Sequence, residues 1–427
     1  MADDDTPDPD RGLDFLPVDA RVSTTATARA VVAASAARFD PDLAAAARTA
    51  RDWRADYLGP FRRLVEAGAR SPEAAVGISR DGLAAAHEAF GFVRDGATAP
   101  LADVTGMPLR RPLATVQVRG TGVPASTLSV PYRGRRLEGS DLHRQLDRWV
   151  AAGIAEPSFR DAVGAVVEAP GWLDLRGTTV VVIGAGAEMG PLRSLLRWGA
   201  HVVALDLPRP DVWRRVLATA REGAGVLSVP VPEGRFRADD RPDDETVAAV
   251  AGVDLVRELP EVAAWLSSIE TEQLVLGMYA YADSAAHVRL SMAADVLALD
   301  AIAQRGATGV VLAYLATPTD VYAVPFDCVR MARERWDDRR TRRVLQAPLR
   351  LARMYEPAYR STVTDIAGRE VGIADILVPQ QGPNYAFAKR LQRWRAVVAR
   401  DEGTTVSLNV APATRTRSVV KNRADAD

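Results

Sequence analysis

Lysine is almost missing from this 427-residue chain: only Lys389 and Lys421 stand among its 54 Lys plus Arg residues. Arginine carries nearly all the positive charge, so a lysine that persists asks for a chemical reason of its own. Cysteine is scarcer still. The single Cys328 excludes an intramolecular disulfide framework and any multi-cysteine metal site. The four histidines, His87, His143, His201 and His287, lack HxxxH or HExxH spacing, which argues against zinc. No apolar run reaches the roughly 18–20 residues that cross a bilayer. The opening "MADDDTPDPD" is acidic and proline-bearing, the opposite of a signal peptide. A net charge of −1 gives no footprint for nucleic acid or an anionic membrane. These absences predict a soluble, cytoplasmic protein with neither a nucleic-acid partner nor a membrane span.

What is present is ordinary in bulk, with 48% hydrophobic and 26% charged residues in a length sufficient for two or three domains. Residues 1–12 and the tail 423–427 are small, polar and acidic, and are expected to be disordered. From about 26 to 96 the chain reads as alanine-rich helix, broken near Gly59-Pro60, with Ser71 and Pro72 opening the second half. Between 113 and 137 the apolar period changes to two. Gly120 and Gly122 lie between the two alternating stretches, predicting a β-hairpin. Helices are expected over "SDLHRQLDRWVAAG" and "SFRDAVGAVVEAP".

From about 175 onward, apolar runs alternate with helical stretches: "TTVVVIG", "HVVALD", "GVLSVPV", "EQLVLGMYAYA", "GVVLAYLA" and "TTVSLNVAP". Such alternation signals a parallel sheet with helices on both faces. The expected architecture is α/β: a helical N-terminal region with a hairpin (13–170), then a doubly wound Rossmann-type domain (171–427) with an insertion at 326–365.

The best-defined unit is "TTVVVIGAGAEMGPLRSLLRWGAHVVALD" (178–206). A buried strand runs into Gly184, Gly186 and Gly190, with Ala187, Glu188 and Met189 between the last two. A helix to about Trp198 and a second strand ending at Asp206 follow. The first glycine permits a tight turn, and the second lets backbone approach a pyrophosphate. Asp206 stands where a carboxylate accepts hydrogen bonds from a ribose diol. This predicts NAD, with NADP left open by the nearby Arg209. S-adenosylmethionine is the alternative ligand of such a loop, in a methyltransferase. A non-catalytic nucleotide-binding module is the second alternative.

The retained lysine belongs to "NYAFAK" (384–389), four residues after Tyr385, and on a helix i and i+4 share a face. An ammonium beside a phenol lowers its pKa toward the range of a working acid or base. Here the chain resembles the short-chain dehydrogenase/reductase family, over roughly 175–420, through "GAGAEMG", "YAFAK" and "SLNVAPATRT" in that order. The resemblance implies an oxidoreductase acting on a carbonyl or alcohol, with Tyr385 as proton donor or acceptor and Lys389 as its partner. It implies that Pro412, Thr414 and Thr416 contact the nicotinamide carboxamide or phosphate. The family's catalytic hydroxyl normally precedes the tyrosine by about a dozen residues. "GIADILVPQQGPN" has none there, so Thr317 or Thr319, after "GVVLAYLA", is its expected counterpart.

His287 follows a strand end and reads as a packed helix histidine, with a proton relay or substrate contact as the alternative. The run "RERWDDRRTRR" (333–343) suits a solvated helix better than a site for an acyl-carrier phosphopantetheine. Cys328, without a nearby histidine, reads as inert. The substrate and a homo-oligomeric state are left open.

Overall fold

The computed structural model describes residues 11–18, 22–237, 239–338, 346–348, 351 and 357–411. Its strands are β1 (Gly12–Phe15), β2 (Phe90–Arg94), β3 (Ala97–Pro100), β4 (Leu113–Arg119), β5 (Val130–Tyr132), β6 (Arg135–Leu137), β7 (Thr179–Ile183) and β8 (His201–Leu205). They continue with β9 (Val226–Pro232), β10 (Leu274–Met278), β11 (Val310–Ala316), β12 (Val321–Pro325), β13 (Tyr359–Thr364), β14 (Glu370–Asp375) and β15 (Thr405–Val410). The described helices are α1 (Thr24–Ala36), α2 (Pro41–Thr49), α3 (Trp53–Asp56), α4 (Leu58–Gly68), α5 (Pro72–Ala89), α6 (Gly139–Ala152) and α7 (Pro157–Glu168). After them come α8 (Leu192–Arg197), α9 (Pro210–Glu222), α10 (Asp244–Ala248), α11 (Leu259–Ser267), α12 (Ser284–Arg305), α13 (Phe326–Asp338) and α14 (Pro383–Asp401).

A seven-stranded sheet in the order β15-β11-β10-β7-β8-β9-β4 organises the molecule. Six of its strands run parallel, and β4 closes one edge antiparallel to β9. The six expected apolar runs are these six parallel strands. Their continuous hydrophobicity follows from cover on both faces. In β7, Val181 and Ile183 pack toward α11, α12, α14 and the N-terminal helices. Val180 and Val182 pack toward α8, α9 and α10 on the other face. This is a mixed α/β fold in which the side-chain period of two supplies two cores.

The N-terminal region is mainly helical, but its strands differ from expectation. The stretch 113–119 pairs with β9 and so belongs to the large sheet, while the hairpin is the shorter β5–β6 pair. Gly120 makes no hairpin turn. Its N–H donates to the Gly225 carbonyl, and a Cβ there would lie 2.0 Å from the Gly223 oxygen. The glycine is needed for close approach to the loop before β9. The helix break falls near Ala50–Asp52, and Pro60 sits in the first turn of α4, where its missing N–H costs nothing. Ser71 caps α5 as expected, its hydroxyl accepting the Ala74 N–H at 3.0 Å. Gly12, expected to be disordered, begins β1, which pairs with β2 in a small antiparallel sheet with β3. Residues 1–10 and 423–427 lie outside the described residues. No described helix is long and apolar enough to cross a membrane.

The 326–365 stretch supplies α13 and β13. β13 joins β12 and β14 in a three-stranded antiparallel sheet.

Candidate functional site

The chain winds outward from β7 through β8 and β9, returns to β10, and continues through β11 to β15 on the opposite side. The loops leaving the carboxyl ends of β7 and β10 therefore diverge, and ligands of open parallel sheets collect in the crevice this opens. At that point Gly184 adopts φ +90°, and a Cβ on it would lie 2.5 Å from the Ala280 Cα, so only glycine fits. The Tyr279 N–H donates to the Ile183 carbonyl at 2.9 Å, tying the loop after β10 to the end of β7.

The glycine loop is longer and more self-contained than its sequence suggests. Ala187 N–H donates to Gly184 and Gly190 N–H to Ala187, two successive turns that delay α8 to Leu192. Gly184 and Ala185 both donate to the Leu205 carbonyl. Gly186 N–H donates to Asp206 Oδ2 at 2.8 Å, and Leu207 N–H to Oδ1 at 2.8 Å. Asp206 thus clamps the loop to the end of β8. Burial pushes its carboxyl above the ordinary value, against the two amide bonds and the charges of Arg209 and Arg215.

Tyr385 lies in the first turn of α14, which enters from Gly382 and Pro383 and packs against α5 and α12. Its half-buried phenol lies close to the side chain of Thr317, just beyond β11, which draws the phenol down against the larger effect of burial. Thr317 Oγ1 lies 2.9 Å from Thr319 Oγ1, and the Tyr322 hydroxyl donates to the Thr317 carbonyl. The two expected threonines and the tyrosine therefore meet. Aromatic rings crowd the same place. His287 stacks on Tyr385 with centroids 5.4 Å apart and planes 15° apart, and Tyr281 lies 5.9 Å from Tyr385. Tyr281 follows Ala280, against which Gly184 packs, so the glycine turn and the aromatic group around Tyr385 are close along the same loop. Ser284, which starts α12, has φ +52°, a strained value for a residue with a side chain. The Asn384 amide reaches across from α14 to its hydroxyl at 3.2 Å.

Lys389 behaves differently from expectation. Its buried ammonium donates to the Leu315 carbonyl at 3.1 Å and to Gln392 Oε1 at 3.2 Å. Gln392 in turn donates to Ser291 Oγ at 2.9 Å. The ammonium thus stitches α14 to the end of β11 and to α12, and it does not lower the phenol. The net effect on Tyr385 is upward, chiefly because burial penalises the phenolate. The reason is reach. Sharing a face with Tyr385 is decided by the helix, but the long lysine side chain extends to a strand-end carbonyl. Burial also pushes the lysine down to about 8, partly offset by Asp320. Asp320 is itself buried between Arg390 (2.9 Å) and Arg393 (2.7 Å).

His287 is packed into the interior, as its reading as a helix histidine expected. It is fully buried, its Nδ1 accepts the Ala282 N–H at 3.2 Å, and its Nε2 meets no partner. Burial, aided by the Lys389 charge, pushes it down to about 3. Pro412, Thr414 and Thr416 lie outside the described residues, the last of which, Ala411, donates its N–H to the Ala316 carbonyl.

A separate cavity of about 330 Å³ lies between the α6–α7 junction and α13. Glu156 there accepts from the Cys328 thiol at 2.6 Å and from the Tyr359 hydroxyl at 2.9 Å. Burial and the neighbouring carboxylate push the Cys328 thiol up to about 12. None of the candidate site residues lines this cavity. Just ahead of the basic run, Arg330 pairs with Asp327 and with the run's own Glu334 along the exposed face of α13.

No family model, curated protein or solved structure was found to match the chain.

Proposed function

We propose that the protein is an NAD(P)-dependent oxidoreductase that moves hydride between a nicotinamide and a carbonyl or alcohol, on a Rossmann-type sheet. The order β9-β8-β7-β10-β11-β15 corresponds to the 3-2-1-4-5-6 arrangement of two mononucleotide-binding halves. A dinucleotide engages both halves. S-adenosylmethionine would engage one and leave the Tyr385 hydroxyl without a task. The observation that carries the reading is the approach of Thr317, at the end of β11, to the Tyr385 phenol, on the same side of the sheet as the glycine turn after β7.

The residues fit such a cofactor. Asp206 spends two of its roughly four lone-pair sites on amides and keeps others for a ribose diol, while its charge disfavours a 2′-phosphate, so NAD is preferred. The turn from Gly184 to Gly190 would border the pyrophosphate. Nicotinamide, when bound, supplies or accepts the hydride. With no cation lowering it, the phenol of Tyr385 keeps its proton near neutral pH and suits donation to a carbonyl oxygen. Thr317 and Thr319 hold that oxygen, and Lys389 braces the helix that presents the phenol.

Isothermal titration with NADH, NADPH and S-adenosylmethionine should give binding in that order of strength, with none for the last. Binding of S-adenosylmethionine alone would overturn the reading. Across a panel of aldehydes and ketones, Tyr385→Phe should lower NADH-dependent turnover by roughly 10²–10⁴-fold.

A further inference from the structure

The cavity between the α6–α7 junction and α13 is lined by two opposite charges that do not pair with each other. Glu156 precedes α7, yet its side chain caps no amide of that helix and borders the cavity instead. Its oxygens accept from neutral donors, the Cys328 thiol at 2.6 Å and the Tyr359 hydroxyl at 2.9 Å. No cation pairs with it among the described residues. A carboxylate offers roughly four lone-pair sites, so Glu156 keeps capacity for a further donor. Arg335, on the α13 wall, donates from Nη2 to the Val150 carbonyl at 2.5 Å and meets no carboxylate among the described residues. Both charges act on the Tyr359 hydroxyl in opposite senses, so they face one space.

We propose that this cavity binds a small zwitterion of the α-amino acid class, with its ammonium against Glu156, its carboxylate against Arg335 and an apolar side chain against Met331 and Trp336. The site is separate from the dinucleotide crevice and does not rest on that reading. A volume of about 330 Å³ lies at the lower end of the range for small-molecule pockets, which suits a single amino acid. Charge selects the class. A phosphate on Arg335 would stand against the Glu156 carboxylate, and a diamine on Glu156 against the guanidinium. A metal ion finds no group of three ligating side chains among the described residues. A zwitterion satisfies both charges at once. Burial and the neighbouring carboxylate keep Cys328 and Tyr359 protonated near neutral pH, so they act as donors that orient Glu156 and not as nucleophiles.

Titration calorimetry of the full chain with L-leucine, L-methionine and L-phenylalanine should detect binding of at least one. For the tightest of them, the decarboxylated amine and the deaminated acid should each bind about tenfold more weakly, the worth of one charge-assisted hydrogen bond. The variants should cross. Glu156→Gln should weaken the amino acid by about tenfold and spare the deaminated acid. Arg335→Met should weaken it similarly and spare the amine. A measurement on the unaltered protein guards against a misfolded variant. Cys328 is the only cysteine, so its alkylation by iodoacetamide, followed by mass spectrometry, should slow several-fold at saturating amino acid. Absence of binding across the three amino acids, equal affinity for an amino acid and its two truncated forms, or binding without protection of Cys328 would overturn the assignment.

Discussion

Replacing Lys389 with methionine should flatten the alkaline limb of the stability curve. The ammonium is buried among Leu315, Gln392 and the aromatic cluster, and it titrates at about 8 against an ordinary value of 10.5. Because the folded value is the lower one, the unfolded chain binds the proton more tightly between these pH values. Stability therefore rises with pH over that range and is lost as pH falls through 8. At about 1.36 kcal/mol per pH unit the whole gap is worth about 3 kcal/mol, of which about 2 kcal/mol falls between pH 7 and 9.5. Above pH 10 the tyrosines whose folded values are raised, Tyr281 and Tyr322 among them, lose stability and oppose the trend, so the range should stop at 9.5. Urea unfolding followed by the fluorescence of the eight tryptophans gives the free energy at each pH. The methionine variant leaves the Leu315 and Gln392 oxygens short of a donor, a penalty that does not depend on pH. The decisive quantity is therefore the change in the difference between the two proteins. A shift of about 2 kcal/mol across the range is expected. Parallel curves would refute the account of Lys389 as a buried, unpaired charge.

Asp320→Asn should destabilise the fold by about 3–5 kcal/mol, since Arg390 is left buried without its counter-charge; chemical denaturation reads this directly. It should also extend the alkaline limb to lower pH and deepen the loss at pH 8, because without Asp320 the folded Lys389 value falls further. Asp206→Ala removes the acceptor of the Gly186 and Leu207 amides and should lower the melting temperature by several degrees. In the same variant the preference for NADH over NADPH should shrink, and an unaltered ratio by titration would contradict the ribose assignment.

The sheet was readable because a strand covered on both faces must be apolar throughout, and "TTVVVIG" or "GVVLAYLA" admits few other homes. The antiparallel edge was harder to read. Leu113–Arg119 alternates as any half-buried strand does, and its partner lies more than a hundred residues away. Gly120 and Gly122 looked like turn residues because a glycine chosen for close backbone contact carries the same letter as one chosen for a turn. At the site, i and i+4 spacing correctly put Tyr385 and Lys389 on one helix, and the strand-end position of Thr317 brought it to the phenol. What the spacing could not say is where a flexible ammonium ends. That was decided by the Leu315 carbonyl and by Gln392, neither of which has a pattern to announce it. The Nε2 of His287 was equally silent, since an unsatisfied ring nitrogen is a property of surroundings and not of sequence.

The edge strand β4 has a consequence for how the chain can be divided. During synthesis it leaves the ribosome long before β9, so the first third of the protein must wait, one ladder of amides exposed, for its pairing surface to be made. Closure of so distant a pair is intrinsically slow. A cut near residue 170, just ahead of the parallel part of the sheet, would strip that cover from β9 and open a sticky border. Fragments intended for study should therefore begin ahead of Leu113 or not be made at all.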